Sequence, residues 1–435
     1  MRNRSAADRR EVGWVLRLLI VSLILCICVA RRSQAHRIQR VLLITVDCLR
    51  EDYVDDHSHA ASIPNMRRLI DAGTSYTHAY AQSETTMAAS RWILDTAAGD
   101  SMTAGGIRAQ PLAERLRRSG FHTAAFLSTF MLWSDASEQG VRPGFELFHC
   151  PSPSSQPEWR SGDEATTEAV AWIRQHAADE HWFAWVMIWD IHQARSLLAQ
   201  GSITAEATDT VYDSGVRSSD RCCGRLLEAL KATGQADDTL VVLTGNHGFP
   251  HAQTSNHVYG LSEELLHVPL VLWAPGHLSG GRRIDAPVEH GDVTPTVLGL
   301  LGLPVQGEIG VNALGPLDVH RPLFAQTCDF KCSSVQMDGW RYIEYDRDLE
   351  LALPGTGSMS GERGSTWKRA GSAELVDVND VAGESDVSAS HPQVVARMRE
   401  SLHAWEQRTS RVPRAALLPE PGRPEVELLR KHGYW

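Results

Sequence analysis

The sequence predicts an α/β fold built on a mostly parallel central sheet flanked by helices, and three observations carry that prediction. Short apolar runs rich in Val, Ile and Leu, such as "RVLLITV" and "TLVVLTG", recur along the chain, as strands covered on both faces do. Amphipathic stretches that stop on glycine alternate with them, which is the rhythm of crossover helices between parallel strands. Several of the runs also end on Asp or Asn, at the sheet edge where ligands gather in such folds.

The chain begins with a basic stretch followed by an uncharged run, Leu18 to Ala30. Its length suits a signal-peptide core better than a membrane span, and Ser33 and Ala35 of "RRSQA" stand at the small-residue positions of a cleavage site. Arg31 and Arg32 favour an uncleaved anchor instead. Both outcomes place the body of the chain outside the cytoplasm, secreted, periplasmic or anchored, with residues 1–35 as the export segment.

"RVLLITV", Arg40 to Val46, reads as the first strand and ends at Asp47. "IPNMRRLIDAG" reads as a helix with Pro64 in its first turn and Gly73 as its stop. "PLAERLRRSG" is a second helix, feeding the strand "FHTAAFLS". "TTEAVAWIRQHA" and "RLLEALKATG" are further helices, each followed by a strand: "WFAWVMIW" up to Asp190, and "TLVVLTG" up to Asn246. Past about Gly315 the character changes. "SSVQMDGWRYIEYD" alternates like one antiparallel strand carrying Trp340 and Tyr342 on one face, and "HPQVVARMRESLHAWEQ" lines Val394, Val395, Met398, Leu402 and Trp405 along one helical face as core. A Gly/Ser-rich stretch, "LPGTGSMSGERGSTWKRAGS", lies between them and borders the expected site.

A length of 435 residues exceeds one small core, so one large domain with a smaller companion is expected. The net charge of −11 leaves no basic stripe for nucleic acid. Of eight cysteines, six lie outside the apolar N-terminal run. They show no zinc spacing; Cys328 and Cys332 suit either a local disulfide or buried thiols.

Asp47, Asp190, Asn246 and His247 all lie at strand exits, with His192 two places past Asp190. Each also suits an ordinary turn. Together they point to a cluster.

The chain resembles the sulfatase family of the alkaline phosphatase superfamily, from Arg40 almost to the end. The resemblance runs through "VLLITVDCLREDYV", "IPNMRRLIDAGTSYTHAYAQS", "DDTLVVLTGNHG", "HVYGLSEELLHVPLVLWAPG" and "DVTPTVLGLLGLP" in one order. It implies an alkaline phosphatase-like domain over residues 36–314, a subdomain of small antiparallel sheet plus helix over 315–410, and a tail over 411–435.

It also implies one divalent ion, calcium by resemblance with zinc, manganese or magnesium as alternatives, held by Asp47, Asn246 and His247. The position after Asp47, often a second aspartate in the family, is Cys48, and Asn246 stands where aspartate is usual; both changes weaken the hold on a hard cation. In "AQSETTMAASRWIL" an ungapped match puts the nucleophile at Thr86, with Thr85 in reserve. A shift by one recovers Ser90 and Arg91 but puts Met87, which cannot attack, at that place. His192 and His257 are the implied contacts to leaving group and ester oxygens, and Arg50, Ser90 and Arg91 the further substrate contacts.

Threonine cannot form the aldehyde hydrate that family sulfatases usually employ, so attack would come from a plain alkoxide. That raises phosphate and phosphonate esters relative to sulfate. The function expected is an exported, metal-dependent hydrolase of an anionic ester, carried on a carbohydrate or a lipid. The alternatives are an inactive sulfatase-fold protein that binds anionic glycans or lipids, and a membrane-anchored phosphoryl transferase with a threonine nucleophile.

Overall fold

The computed structural model describes residues 37–55, 57–60, 62–94, 110–132, 141–152, 159–179, 181–192, 208–249, 260–305, 310–328, 331–352, 365–379 and 385–409. The export segment, the tail, His257 and most of the Gly/Ser-rich stretch lie outside them. Among the described residues no helix is long and apolar enough to cross a membrane.

In chain order the strands are β1 (Arg40–Val46), β2 (Thr74–Tyr76), β3 (Ala79–Tyr80), β4 (His122–Leu127), β5 (Leu147–His149), β6 (Trp182–Ile188), β7 (Thr239–Gly245), β8 (Leu270–Trp273), β9 (Arg282–Ile284) and β10 (Val288–Glu289). The C-terminal part adds β11 (Leu323–Gln326), β12 (Cys332–Met337), β13 (Trp340–Tyr345), β14 (Leu349–Ala352), β15 (Ser365–Lys368) and β16 (Ala373–Asp377). The helices are α1 (Glu51–Asp55), α2 (Pro64–Ala72), α3 (Thr86–Ile93), α4 (Leu112–Arg118), α5 (Gly162–Gln175), α6 (Thr208–Ala232), α7 (Glu263–Leu266), α8 (Val293–Leu301) and α9 (Pro392–Thr409).

The main sheet runs β5-β4-β6-β1-β7-β8-β2-β9. Its strands pair in parallel from β5 through β7, and β8 runs antiparallel to both β7 and β2. Each central strand is buried along its whole length. Leu42, Ile44 and Val46 face one core with Met66, Ile173 and Leu226 of α2, α5 and α6, while Val41 and Leu43 face the other with Ile93, Leu116 and Val297 of α3, α4 and α8. The register sets Val46 level with Ile188 and with Gly245. Asp47 and Asn246 therefore leave the sheet at the same height, on adjacent strands.

Two helices extend further than their apolar spacing predicts. α5 begins at Gly162, four residues ahead of Thr166, because Ser161 and Glu164 form a capping box. α6 begins near Thr208, and its Ser- and Asp-containing first half is held by contacts rather than by propensity: Ser218 donates to Asp190 and Asp220 accepts from Asn65 at the start of α2.

The C-terminal sheet, ordered β11-β12-β13-β16, is antiparallel throughout. The stretch read as one strand is a hairpin, because Asp338 and Gly339 both adopt positive φ, 55° and 81°. Asp-Gly supplies the tight turn that matches strand twist. Met398, Leu402 and Trp405 of α9 back the sheet, with Trp405 stacked on Phe324 at 5.1 Å. Tyr342 is fully buried there and Trp340 packs beside it, so these aromatics are core. The six cysteines among the described residues are all thiols, Cys328 and Cys332 included.

Candidate active site

The site forms where β1 and β7 leave the sheet. Asp47 and Asn246 have no exposed surface. Gly245 ends β7 against the turn after β1, where a Cβ would collide with the Leu49 carbonyl oxygen. That close approach lets Asn246 N–H donate to the Val46 carbonyl at 3.2 Å and sets its side chain beside Asp47. After Asp47 the backbone turns through Cys48, which holds φ +60°, uncommon outside glycine. Tyr212 of α6 braces this turn: its hydroxyl donates to the Cys48 carbonyl at 3.0 Å and accepts from Arg50 N–H at 3.1 Å.

Thr86 reaches Asp47 from a third element, as the first residue of α3. The loop before it is pinned from several sides. Gln82 Oε1 accepts from Gly291 N–H at 2.7 Å, Gln326 N–H donates to the Gln82 carbonyl at 3.0 Å, and Cys328 N–H donates to the Glu84 carboxylate at 3.1 Å. Thr86 is thereby fixed with Oγ1 donating to Asp47 Oδ1 at 2.7 Å, and 3.4 Å from His247 Nε2.

Both oxygens of Asp47 are engaged. Oδ1 also accepts from Asn246 Nδ2 at 2.7 Å and lies 3.5 Å from His247 Nε2. Oδ2 accepts from His192 Nδ1 at 3.1 Å and from the Cys48 thiol at 3.1 Å. Burial alone would raise this carboxyl, but His247 and His192 outweigh it and hold Asp47 well below the usual carboxylate range. His247 Nδ1 donates to the Gly248 carbonyl at 2.9 Å, which leaves Nε2 with its lone pair toward Thr86 and Asp47 when the ring is neutral. His192 stacks on Trp189 at 4.2 Å.

The structure thus brings together Asp47, Thr86, His192, Asn246 and His247. Asn246 turns its nitrogen to Asp47 and accepts from His247 N–H with its oxygen at 2.8 Å, so both ends of the amide are assigned by their partners. Ser90 Oγ, one turn after Thr86 on α3, is buried without a hydrogen-bond partner among the described residues. Arg91 is half-buried on the same helix. Arg50 makes a bidentate pair with Asp52 and lies over the Tyr212 ring at 5.8 Å. Asp190 stays outside the cluster: it accepts from Gly162 N–H at 2.8 Å and Ser218 Oγ at 3.2 Å, closing the start of α5.

Two residues enter that residue spacing did not single out. Cys48 places its thiol in a compact group with Asp47 and His247, the three ligand atoms all within 4.8 Å of one another; its adjacency to Asp47 was the available signal. His290 donates through Nε2 to the Gly245 carbonyl at 3.0 Å while Nδ1 is buried without a partner among the described residues. Burial, more than the nearby His247, pushes its imidazole down to about 3, so it is neutral. No periodicity marks it. The donor set of carboxylate, thiol and imidazole accepts a divalent transition ion readily and a calcium ion poorly.

The chain is similar to known proteins in sequence and in fold. The family model described as Sulfatase matches residues 39–303. Arylsulfatase K of Danio rerio is 32% identical over 156 residues, covering 32% of this chain and 29% of that protein. Inner membrane protein YejM of Salmonella typhimurium is 28% identical over 155 residues, covering 34% of this chain and 24% of that protein. The chain therefore spans under a third of either relative. The phosphonate monoester hydrolase of Agrobacterium radiobacter superposes with a TM-score of 0.64 at 18% identity, over 85% of this chain and 96% of the other, a likeness of fold.

Proposed function

Because the chain belongs to the sulfatase family, we propose that it hydrolyses an anionic ester outside the cytoplasm, with Thr86 as nucleophile and with phosphate or phosphonate esters favoured over sulfate. One observation carries the reading: Thr86 Oγ1 is fixed between Asp47 Oδ1 at 2.7 Å and His247 Nε2 at 3.4 Å, at the sheet edge. A hydroxyl so held is positioned by two side chains from two different strands' exits.

The contacts of Asp47, His247, His192 and Asn246 support a task for each. Asp47 orients the Thr86 hydroxyl; its depressed pKa makes it a weak proton acceptor. A divalent ion at Asp47 and His247, when bound, supplies the positive charge that favours the Thr86 alkoxide. Ser90, with its unpaired buried hydroxyl on the same helix face as Thr86, donates to an ester oxygen. His192, tied to Asp47 through Nδ1, offers its other nitrogen to the leaving group. Asn246 holds the carboxylate in place, and Arg91 and His257 complete the anion contacts in this reading. Arg50, paired with Asp52, acts at longer range. The Thr86 proton passes to solvent as the alkoxide forms; the alkoxide oxygen bonds to phosphorus while the bond to the leaving oxygen breaks, and that oxygen takes a proton from His192. Water then cleaves the threonyl ester, its hydroxyl going to phosphorus and its proton to Thr86, and solvent reprotonates His192. The Leu18 to Ala30 run supports export.

Purified protein supplied with divalent ions is expected to cleave an aryl phosphonate monoester or phosphate diester faster than an aryl sulfate. Thr86→Ala abolishes that turnover and Thr85→Ala leaves most of it. Full activity in Thr86→Ala defeats the nucleophile assignment. Absence of turnover with every ion moves the protein to the anion-binding class.

A further inference from the structure

We infer that the ion this site selects is thiophilic: Asp47, Cys48 and His247 form a three-ligand site that prefers zinc to calcium, with the Cys48 thiolate as the deciding ligand. This rests on the reading of the sheet edge as a metal centre and departs from the Asp47, Asn246 and His247 set, with calcium as the ion, that the resemblance implies.

The donor count argues against calcium. A calcium ion takes six to eight oxygen ligands at about 2.3–2.6 Å, and its affinity follows the number of carboxylates. Among the described residues the cluster supplies one carboxylate, that of Asp47. The Asn246 oxygen, the next oxygen along β7, already accepts from His247 N–H at 2.8 Å and its nitrogen faces Asp47. The other groups near Asp47 among the described residues are a hydroxyl, a thiol and two imidazoles.

The spacing argues for zinc. In a tetrahedral site with metal–nitrogen or metal–oxygen bonds of about 2.0–2.1 Å and metal–sulfur bonds of about 2.3 Å, ligand atoms stand roughly 3.3–3.6 Å apart. His247 Nε2 and Asp47 Oδ1 are 3.5 Å apart, within that range, while Cys48 Sγ lies 3.1 Å from the other carboxylate oxygen, Oδ2, to which its thiol is hydrogen-bonded. All three ligand atoms fall within 4.8 Å of one another.

The surroundings hold these atoms where they are. The Gly248 carbonyl takes His247 Nδ1–H, which orients Nε2 inward as outer-sphere carbonyls do for ligating imidazoles. Tyr212 braces the carbonyl of left-handed Cys48 and so fixes the direction of its side chain. His192 Nδ1, 3.1 Å from Asp47 Oδ2, bonds the carboxylate from outside. Three protein ligands with Thr86 Oγ1 2.7 Å from Asp47 Oδ1 leave the fourth place to an exchangeable group, as catalytic zinc sites do.

The test is binding by the full chain, stripped of metal and titrated with zinc, cobalt and calcium chlorides. Zinc is expected to bind at least roughly 1,000-fold tighter than calcium, as a thiolate and an imidazole dictate. The cobalt derivative should show near-ultraviolet thiolate-to-cobalt charge transfer and the visible bands of a four-coordinate ion. Cys48→Ser should abolish the charge-transfer band and weaken zinc by about 100-fold or more, beyond what loss of an outer-sphere contact produces, while Cys150→Ser changes neither. Cys48→Asp should shift preference toward calcium. Calcium binding as tight as zinc, or a charge-transfer band that survives in Cys48→Ser, overturns the inference. If Cys48→Ser does not fold, X-ray absorption of the zinc-loaded wild type decides, by the presence or absence of a sulfur scatterer at about 2.3 Å. The two readings fail separately. Zinc bound through sulfur without turnover leaves this inference standing and defeats the hydrolase, whereas calcium-supported turnover unaffected by Cys48→Ser does the reverse.

Discussion

The side-chain amide of Asn246 donates to Asp47 Oδ1 at 2.7 Å, and its oxygen is already taken by the His247 N–H at 2.8 Å. Asn246→Asp would therefore set two carboxylates against each other in a fully buried site. Without metal the variant is expected to melt below the wild type. With a divalent ion the order reverses, and affinity rises by about tenfold or more through the added ligand charge. Paired melts with and without metal, with calorimetric titration, check this. A variant stabilised in both conditions would show that the carboxylate placed at 246 does not face Asp47 across a cation site.

The Tyr212 hydroxyl bridges Arg50 N–H and the Cys48 carbonyl. Tyr212→Phe keeps the ring under Arg50 and removes the bridge. A stability loss of about 1–3 kcal/mol is expected from one buried donor and one buried acceptor left without a partner. The more telling change is in metal affinity, which should fall because Cys48 is no longer held in its left-handed turn. Denaturant melts and zinc titration separate the two effects.

Asp190 caps the start of α5 through Gly162 N–H and Ser218. Asp190→Ala should cost about 1–2 kcal/mol, as loss of an N-terminal cap does, and leave metal affinity and KM unchanged. A specific loss of turnover at unchanged stability would bring Asp190 back into the active site.

Glu51 lines a cleft beside Asp55, Thr77 and Arg283. Burial pushes its carboxyl up to about 8, with His267 and Arg283 opposing and Asp55 adding to the rise. The folded state therefore keeps a proton that the unfolded chain releases near 4.5, and stability falls as pH rises through that window. Glu51→Gln should match the wild type near pH 5 and exceed it near pH 8 by at least about 1 kcal/mol. Melting both proteins at the two pH values checks the sign.

The elements that needed only local rules were legible. β1 and β7 are β-branched runs with polar exits, and α2 carries its own Pro64 start and Gly73 stop. The start of α5 was written in Ser161 and Glu164, a signal that apolar spacing does not weigh. The hairpin at Asp338 and Gly339 was hidden by a continuous alternation that two strands and one strand share. At the site, Asp47 and Asn246 were visible as strand exits, but their partnership depends on the register of β1 against β7, which separates them by 199 residues in sequence. His290 could not be read at all, since only the folded chain carries it to the Gly245 carbonyl.

The loop ahead of Thr86 is tied to the C-terminal sheet, through Gln326 N–H on Gln82 and Cys328 N–H on Glu84. Arg321 and Phe324 anchor the same sheet on Asp292 and Glu289. The two lobes consequently form one assembly unit. A chain cut near residue 314 would retain Asp47, Thr86, Asn246 and His247 and lose the clamp that aims the threonine. Grafting another C-terminal lobe onto this body, as one would exchange a specificity cassette, would have to reproduce these two backbone ties before any difference in substrate choice could be read from it.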